Sequence, residues 1–171
     1  MASELYVETL KGLTSGANAN KVIIPSGQTL EVVSGGVIEL PAGSISNYNS
    51  NLATNRTDTG TTSYQDVINT TITPSSTDSK ILILAHVLSH GRNATNYQFW
   101  HALFRDSTNL VQQRMESVVG LGNDLRHLSY IDEPNTTSEI TYSLKYRTNA
   151  GGYVTLGDNG SRYIAVLELK A

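Results

Sequence analysis

The stretch ITYSLKYR, residues 140–147, alternates strictly between apolar and polar side chains. Such alternation is typical of a β-strand that has one face against a core and the other in water. The stretch KILILAHVLSH, residues 80–90, begins apolar on both faces, which indicates a central strand covered on both sides. The stretch YIAVLEL, residues 163–169, is nearly all apolar, so it is predicted to be central in a sheet or buried against another subunit.

Similar strand signals recur through the second two-thirds of the chain, and no long stretch has the 3.6-residue spacing of an amphipathic helix. Turn signals separate them, such as the runs at 106–109 and 157–160. The predicted strands are residues 64–73, 80–90, 97–105, 110–115, 125–131, 139–147, 153–156 and 162–169. About eight short strands in about 110 residues indicate an all-β fold, an antiparallel jelly-roll sandwich.

Residues 1–45 have a different pattern, in which short strands end at the Pro-x-Gly turns 25–27 and 41–43. Proline cannot donate to a β-ladder, and glycine permits the sharp reversal that follows. Strands this short cannot bury their apolar faces within one chain. The segment is therefore interpreted as an arm and a short trimeric β-stem that pairs with copies of itself. The alternative is an N-terminal β-hairpin that lies against the main domain.

The predicted organisation has three parts: an N-terminal attachment arm and β-stem at 1–45, a polar linker at 46–61, and a jelly-roll knob at 62–171. Candidate attachment residues in the arm are Leu5, Tyr6, Val7, Leu10 and Leu13. Candidate residues of the trimer stem are Val22, Ile24, Leu30, Val32, Val37 and Leu40. Candidate residues of the knob core or interface are Trp100, Phe104, Tyr142, Leu144, Ile164 and Val166.

Charged residues make up only 16% of the 171 residues, and Thr (19), Ser (18) and Asn (14) take their place. The lack of cysteine excludes disulfide scaffolds, zinc ribbons and iron–sulfur sites. A net charge of −3 gives no electrostatic footprint for nucleic acid. The first residues do not resemble a signal peptide, and the longest apolar stretch, 81–88, is too short to span a bilayer. Neither a nucleic-acid nor a membrane partner is expected.

The sequence contains no P-loop, no nucleophile elbow and no paired carboxylates suited to catalysis. His86 and His90 are four residues apart, which on a strand separates them by about 13 Å, too far to share a metal ion. His101 is interpreted as a satisfied core or interface histidine and His127 as a surface residue, with a histidine ring at a threefold axis as the alternative. Glu168 is interpreted as an edge or interface charge. We therefore expect a protein that is not an enzyme and needs no cofactor.

Several phrases of the sequence resemble those of small virion proteins of tailed bacteriophages. They are residues 64–74, 80–87, 104–108, 129–136, 141–144 and 164–169, together with 10–13, 22–27 and 37–43 near the N-terminus. The resemblance covers most of the chain, and its motifs are structural phrases rather than an active-site signature.

The resemblance implies a homotrimer whose jelly-roll knob is similar in shape to the trimeric tumour-necrosis-factor and C1q domains, with an N-terminal arm that grips the exterior of the virion. The implied partners are copies of the chain itself and the major capsid protein or another virion protein. The implied role is capsid decoration, in which the protein acts as a cement that stabilises the shell. A short tail fibre whose knob recognises a host-surface glycan is the alternative, but the stem is short for a receptor-binding fibre.

Overall fold

The structure, a computed structural model, describes residues 26–29, 41–55, 57–92, 98–116, 124–149, 153–156 and 162–171. The chain divides into two compact units, Met1–Glu39 and Leu40–Ala171. The described residues of the first unit include a turn in which Gly27 has a φ of 80°, the left-handed conformation that glycine tolerates. All the candidate residues of the arm and of the trimer stem lie outside the described residues, so their roles stay predictions.

The described residues of the unit Leu40–Ala171 form ten β-strands and no helix. The strands are β1 (Ile45–Ala53), β2 (Thr57–Thr59), β3 (Gln65–Ile72), β4 (Lys80–Arg92), β5 (Gln98–Arg105), β6 (Thr108–Glu116), β7 (Asp124–Asp132), β8 (Ile140–Thr148), β9 (Tyr153–Leu156) and β10 (Arg162–Leu169). Every predicted strand is present, with ends that differ from the prediction by at most two residues. The described part of the chain offers no helix that could cross a membrane.

The strands form two antiparallel sheets. The first has the order β1-β10-β4 with β7 on the other edge of β4, and the second has the order β3-β8-β5-β6. Ser89 of β4 pairs with both Asp124 of β7 and Leu156 of β9, so β7 and β9 lie on opposite edges of β4. The edge that β9 occupies is the one that β10 occupies further along β4, and β9 therefore continues the line of β10. In the same way, β2 pairs with β9 and continues the line of β1.

Each sheet is therefore four strands wide, and the chain crosses between the sheets after β2, β3, β4, β6, β7 and β8. This order of crossings, with two sheets of four antiparallel strands, is that of a jelly roll. The prediction of an all-β jelly-roll sandwich is confirmed.

The sequence predicts a polar linker at residues 46–61. That prediction is wrong, because β1 and β2 occupy most of the segment. The division between the two units falls at Glu39 and Leu40 instead, so the knob begins earlier than residue 62. The break between β1 and β2 is held by the buried Arg162 side chain, which donates to the backbone oxygen of Asn55 at 2.8 Å and to that of Val67 at 3.2 Å.

The inward positions of β1 carry asparagines that join the two sheets along one side of the sandwich. The side-chain amides of Asn47, Asn49 and Asn51 donate to alternate backbone carbonyls of residues 73, 71 and 69, at 3.3, 2.8 and 2.8 Å. We call these three residues the asparagine ladder. β3 is an edge strand of the second sheet, so the ladder satisfies carbonyls that no strand of that sheet pairs.

Two acidic side chains are buried in the sandwich with hydrogen-bond donors. Asp132 accepts bonds from Arg105 Nη1 at 3.0 and 2.9 Å and from the Tyr142 hydroxyl at 2.6 Å. Glu168 accepts bonds from the backbone N–H and the hydroxyl of Ser75 at 2.6 and 2.7 Å. Burial would raise the pKa of Glu168, but the serine hydrogen bonds outweigh burial and lower it. Since Glu168 is fully buried, its interpretation as an edge or interface charge is wrong.

Candidate functional site: an uncharged sheet face

The outer face of the first sheet, which points away from the sandwich interior, carries three rows of four side chains in register. Each row crosses β7, β4, β10 and β1 in that order. The rows are Ile131, Leu82, Leu167 and Tyr48; then Ser129, Leu84, Ala165 and Ser50; then His127, His86, Tyr163 and Leu52. None of these side chains is an acid, a lysine or an arginine. We call this surface the uncharged face.

Large apolar side chains of the uncharged face are exposed to water in the single chain. Tyr48 and Ile131 are each 53% exposed, Leu52 60% and Leu84 40%. Strand spacing of about 4.8 Å and row spacing of about 6.8 Å give the grid an area of about 400 Å². The exposed apolar side chains share this footprint with two serines and two histidines, and exposed apolar patches on soluble monomers often serve a function.

Charged residues lie at the rim of this surface. Lys80 and Glu133, one row beyond the grid on β4 and just after β7, form a salt bridge of 2.7 Å. An apolar centre with a polar, solvent-accessible rim is the ordinary composition of a protein–protein interface. The arrangement therefore favours contact with another protein surface.

One row of the uncharged face brings two histidines together. His86 of β4 and His127 of β7 are directly opposite each other, with ring centres 5.6 Å apart. Tyr163 of β10 stacks on His86 with ring centres 5.4 Å apart, and its hydroxyl is 3.1 Å from that of Tyr48. Burial lowers the pKa of His86, and the neighbouring His127 lowers it further. His86 is therefore neutral at pH 7.

An open cavity of about 420 Å³ lies against this row. Its lining includes both histidines, Leu84, Ser129 and Tyr163. The cavity is large enough for several water molecules or a small ligand next to the imidazole rings. The histidine pair is thus accessible from outside in the single chain.

The outer face of the second sheet is different, because its aromatic rings are covered by the protein's own cations. The Arg147 guanidinium lies 3.9 Å from the centre of the Trp100 ring, and the Lys145 ammonium lies 5.0 Å from that of Phe104. Tyr64 packs edge-on against Phe104 with ring centres 5.0 Å apart. These cation–π and ring contacts occupy the aromatic surfaces that a partner would otherwise bind.

The six candidate residues of the knob core or interface divide between the interior and this second outer face. Tyr142, Leu144, Ile164 and Val166 are fully buried in the interior, whereas Trp100 and Phe104 lie on the outer face of the second sheet. None of the six lies on the uncharged face. The alternation of Tyr163, Ala165 and Leu167 with Ile164 and Val166 is the sequence signal that points to it, since both faces of β10 are apolar.

Among the described residues, no group of three or more histidines and acids is placed to hold a metal ion. His101 is fully buried between the sheets, against the rings of Phe99 and Tyr146. Neither of its ring nitrogens has a hydrogen-bond partner in the described part of the chain, so it is a core histidine but not a satisfied one. Burial, reinforced by the charge of Arg126, lowers the pKa of His101 to about 4.

No protein-family model matches the chain, and no curated protein matches it. Among solved structures, it is similar to a chain of infectious bursal disease virus, Gx strain, with a TM-score of 0.46, 10% identity, and coverage of 86% of this chain and 40% of that one.

It is also similar to the VP2 subviral particle of infectious bursal disease virus (TM-score 0.41, 12% identity, 84% of this chain and 41% of that one). A third similar chain is dimeric latent PorU from Porphyromonas gingivalis, with a TM-score of 0.38, 12% identity, and coverage of 84% of this chain and 14% of that one. The chain spans less than half the length of each of these chains. The jelly-roll assignment follows from the strand order and register alone.

Proposed function

We propose that the chain is a structural, non-catalytic protein of a bacteriophage virion, a homotrimeric capsid decoration protein that attaches to the exterior of the shell through its N-terminal arm. The observation that carries the proposal is the uncharged face, which exposes large apolar side chains to water in the single chain. Covering the exposed half of one such side chain is worth about 1 kcal/mol. The proposed cover is a second copy of the same chain.

The number of three copies comes from the resemblance to small virion proteins, which implies a homotrimer. A standard protein–protein interface buries about 800 Å² on each partner, which is about twice the area of the grid. In a closed threefold ring the contact is heterologous, so each chain contributes two different surfaces. The two rows of the uncharged face that start at Ile131 and Ser129 supply the apolar part of one of them, and the histidine row stays outside the contact.

The phage assignment is supported by the sequence phrases that resemble small virion proteins and by the jelly-roll knob that this resemblance implies. Decoration is proposed over a glycan-binding tail fibre because the predicted stem is short. Copy number in purified particles, measured by quantitative mass spectrometry, tests this choice. Decoration predicts many copies, on the order of hundreds, whereas a few tens or fewer would support the tail fibre.

Replacing Leu84 with glutamate is expected to convert the trimer into single chains. Leu84 occupies the middle row of the uncharged face and is 40% exposed, so the sandwich itself tolerates the change. In the trimer, however, three carboxylates would be buried with no cation on the uncharged face to pair with them, and each unpaired buried charge costs several kcal/mol. Light scattering coupled to size-exclusion chromatography measures the change in mass.

The matched control is Gln113→Glu, which adds the same charge at an exposed position of β6 in the second sheet. This variant should stay trimeric, and both variants should keep the β-rich circular dichroism of the wild type. A wild-type chain that is monomeric, or a Leu84→Glu variant that remains a trimer, would contradict the proposed interface.

A further inference from the structure

We propose that His86 and His127 form a two-histidine binding site for a transition-metal ion of the Zn²⁺, Ni²⁺ and Cu²⁺ class. The two residues are cross-strand partners on β4 and β7, and both side chains lie on the uncharged face. The site does not depend on a virion role for the protein, because it follows from the geometry of one sheet.

The spacing of the two rings suits one metal ion between them. Imidazole nitrogen binds such ions at about 2.0–2.1 Å, which places the ion about 3.2 Å from each ring centre. With a nitrogen of each ring aimed at the ion, ring centres 5.6 Å apart correspond to an angle of about 120° at the metal, which is the trigonal value and somewhat wider than the tetrahedral one. Antiparallel pairing fixes the two backbones, so only side-chain rotation is needed to aim both nitrogens at the ion.

The surroundings supply room and orientation. The cavity of about 420 Å³ beside the pair holds space for the water molecules that complete the coordination of an ion with two protein ligands. The stacked ring of Tyr163 limits the rotation of His86.

The donor set also predicts which ions bind. Two neutral imidazoles suit Zn²⁺, Ni²⁺ and Cu²⁺, and affinity should rise from Co²⁺ through Ni²⁺ to Cu²⁺. Hard ions such as Mg²⁺ and Ca²⁺ require oxygen ligands, and the three rows of the uncharged face contain no carboxylate. Neither hard ion should compete.

The test is calorimetric titration of the full-length chain, without a histidine tag, with NiCl₂ at pH 7.5. The wild type is expected to bind one Ni²⁺ per chain, and excess MgCl₂ should not change the result. Changes to groups that merely orient a metal ligand cost about 10–100-fold in affinity, so His127→Gln and His86→Gln, which remove a ligand itself, should each weaken binding by at least about tenfold.

The matched control is His90→Gln, the same substitution on the same strand, about 13 Å along the chain from His86. This variant should bind Ni²⁺ as the wild type does. A wild-type chain that does not bind Ni²⁺, or a His127→Gln variant that binds it as tightly, overturns the proposal.

Discussion

The Asp132→Ala variant is expected to lose about 3 kcal/mol of the free energy of unfolding. Asp132 is 5% exposed and accepts hydrogen bonds from Arg105 and Tyr142, so alanine leaves a guanidinium and a buried hydroxyl without their acceptor. Removing one partner of a buried ion pair costs about 3–5 kcal/mol. The lower end applies here because the Arg105 side chain is 28% exposed and part of its charge stays hydrated.

Urea unfolding at a fixed protein concentration measures this loss. Tyr142→Phe, which removes one hydrogen bond and keeps the ring, should cost about 1 kcal/mol. Burial and the hydrogen bond to Asp132 both raise the pKa of Tyr142, so its hydroxyl remains a donor in alkaline solution.

The control for Asp132 is its neighbour Glu133, which pairs with Lys80 while both side chains are more than half exposed, at 63% and 54%. Exposed ion pairs contribute little, so Glu133→Gln should leave the unfolding midpoint nearly unchanged. Equal losses in the Asp132 and Glu133 variants would show that the buried network has no special role.

Acidification is expected to destabilise the wild-type protein through His101. The folded-state pKa of His101, about 4, lies below the ordinary value of 6.5. Between these two pH values the unfolded chain binds a proton that the folded chain does not. The free energy of unfolding therefore decreases by about 1.4 kcal/mol for each unit by which the pH is lowered. The total loss on going from pH 6.5 to pH 4 is about 3 kcal/mol. Well above pH 6.5, where His101 is neutral in both the folded and the unfolded chain, it contributes almost no pH dependence.

The His101→Phe variant should be spared this part of the acid destabilisation, since phenylalanine does not titrate and the site is already lined by Phe99 and Tyr146. Urea unfolding midpoints of both proteins, measured between pH 4 and pH 7, give two curves. Carboxylates titrate in both proteins, so the difference between the curves isolates His101. Parallel curves for wild type and His101→Phe would contradict the expectation.

Hydrophobic periodicity is sufficient to predict eight of the ten strands, because their interior positions carry apolar or aromatic side chains at every second residue. It does not reveal β1, whose interior positions are the asparagine ladder and therefore hydrogen-bond to the opposite sheet instead of packing in the core. The ten strands occupy eight positions in the two sheets, because β9 and β10 lie in one line and β1 and β2 in another. The predicted number of about eight strands therefore still matches a jelly roll.

The candidate site depends on register, which a single sequence does not contain. The stretch 163–169 is predicted to be central or covered by another subunit, and β10 is indeed central in its sheet. From the sequence, His86 and His90 are the two histidines closest along the chain, and on a strand they are too far apart to share an ion. In the fold His86 is opposite His127 of another strand. Cross-strand partners are set by long-range pairing, and a slip of one residue would move every side chain to the other face.

The asparagine ladder also limits how the sandwich can grow. A bare edge strand is a template on which another chain can add a strand, and repeated addition leads to fibres. Along β3 the carbonyls that would accept such a strand are already bonded to amides of the same chain. Copies held close together are therefore hindered from joining their sheets edge to edge at β3.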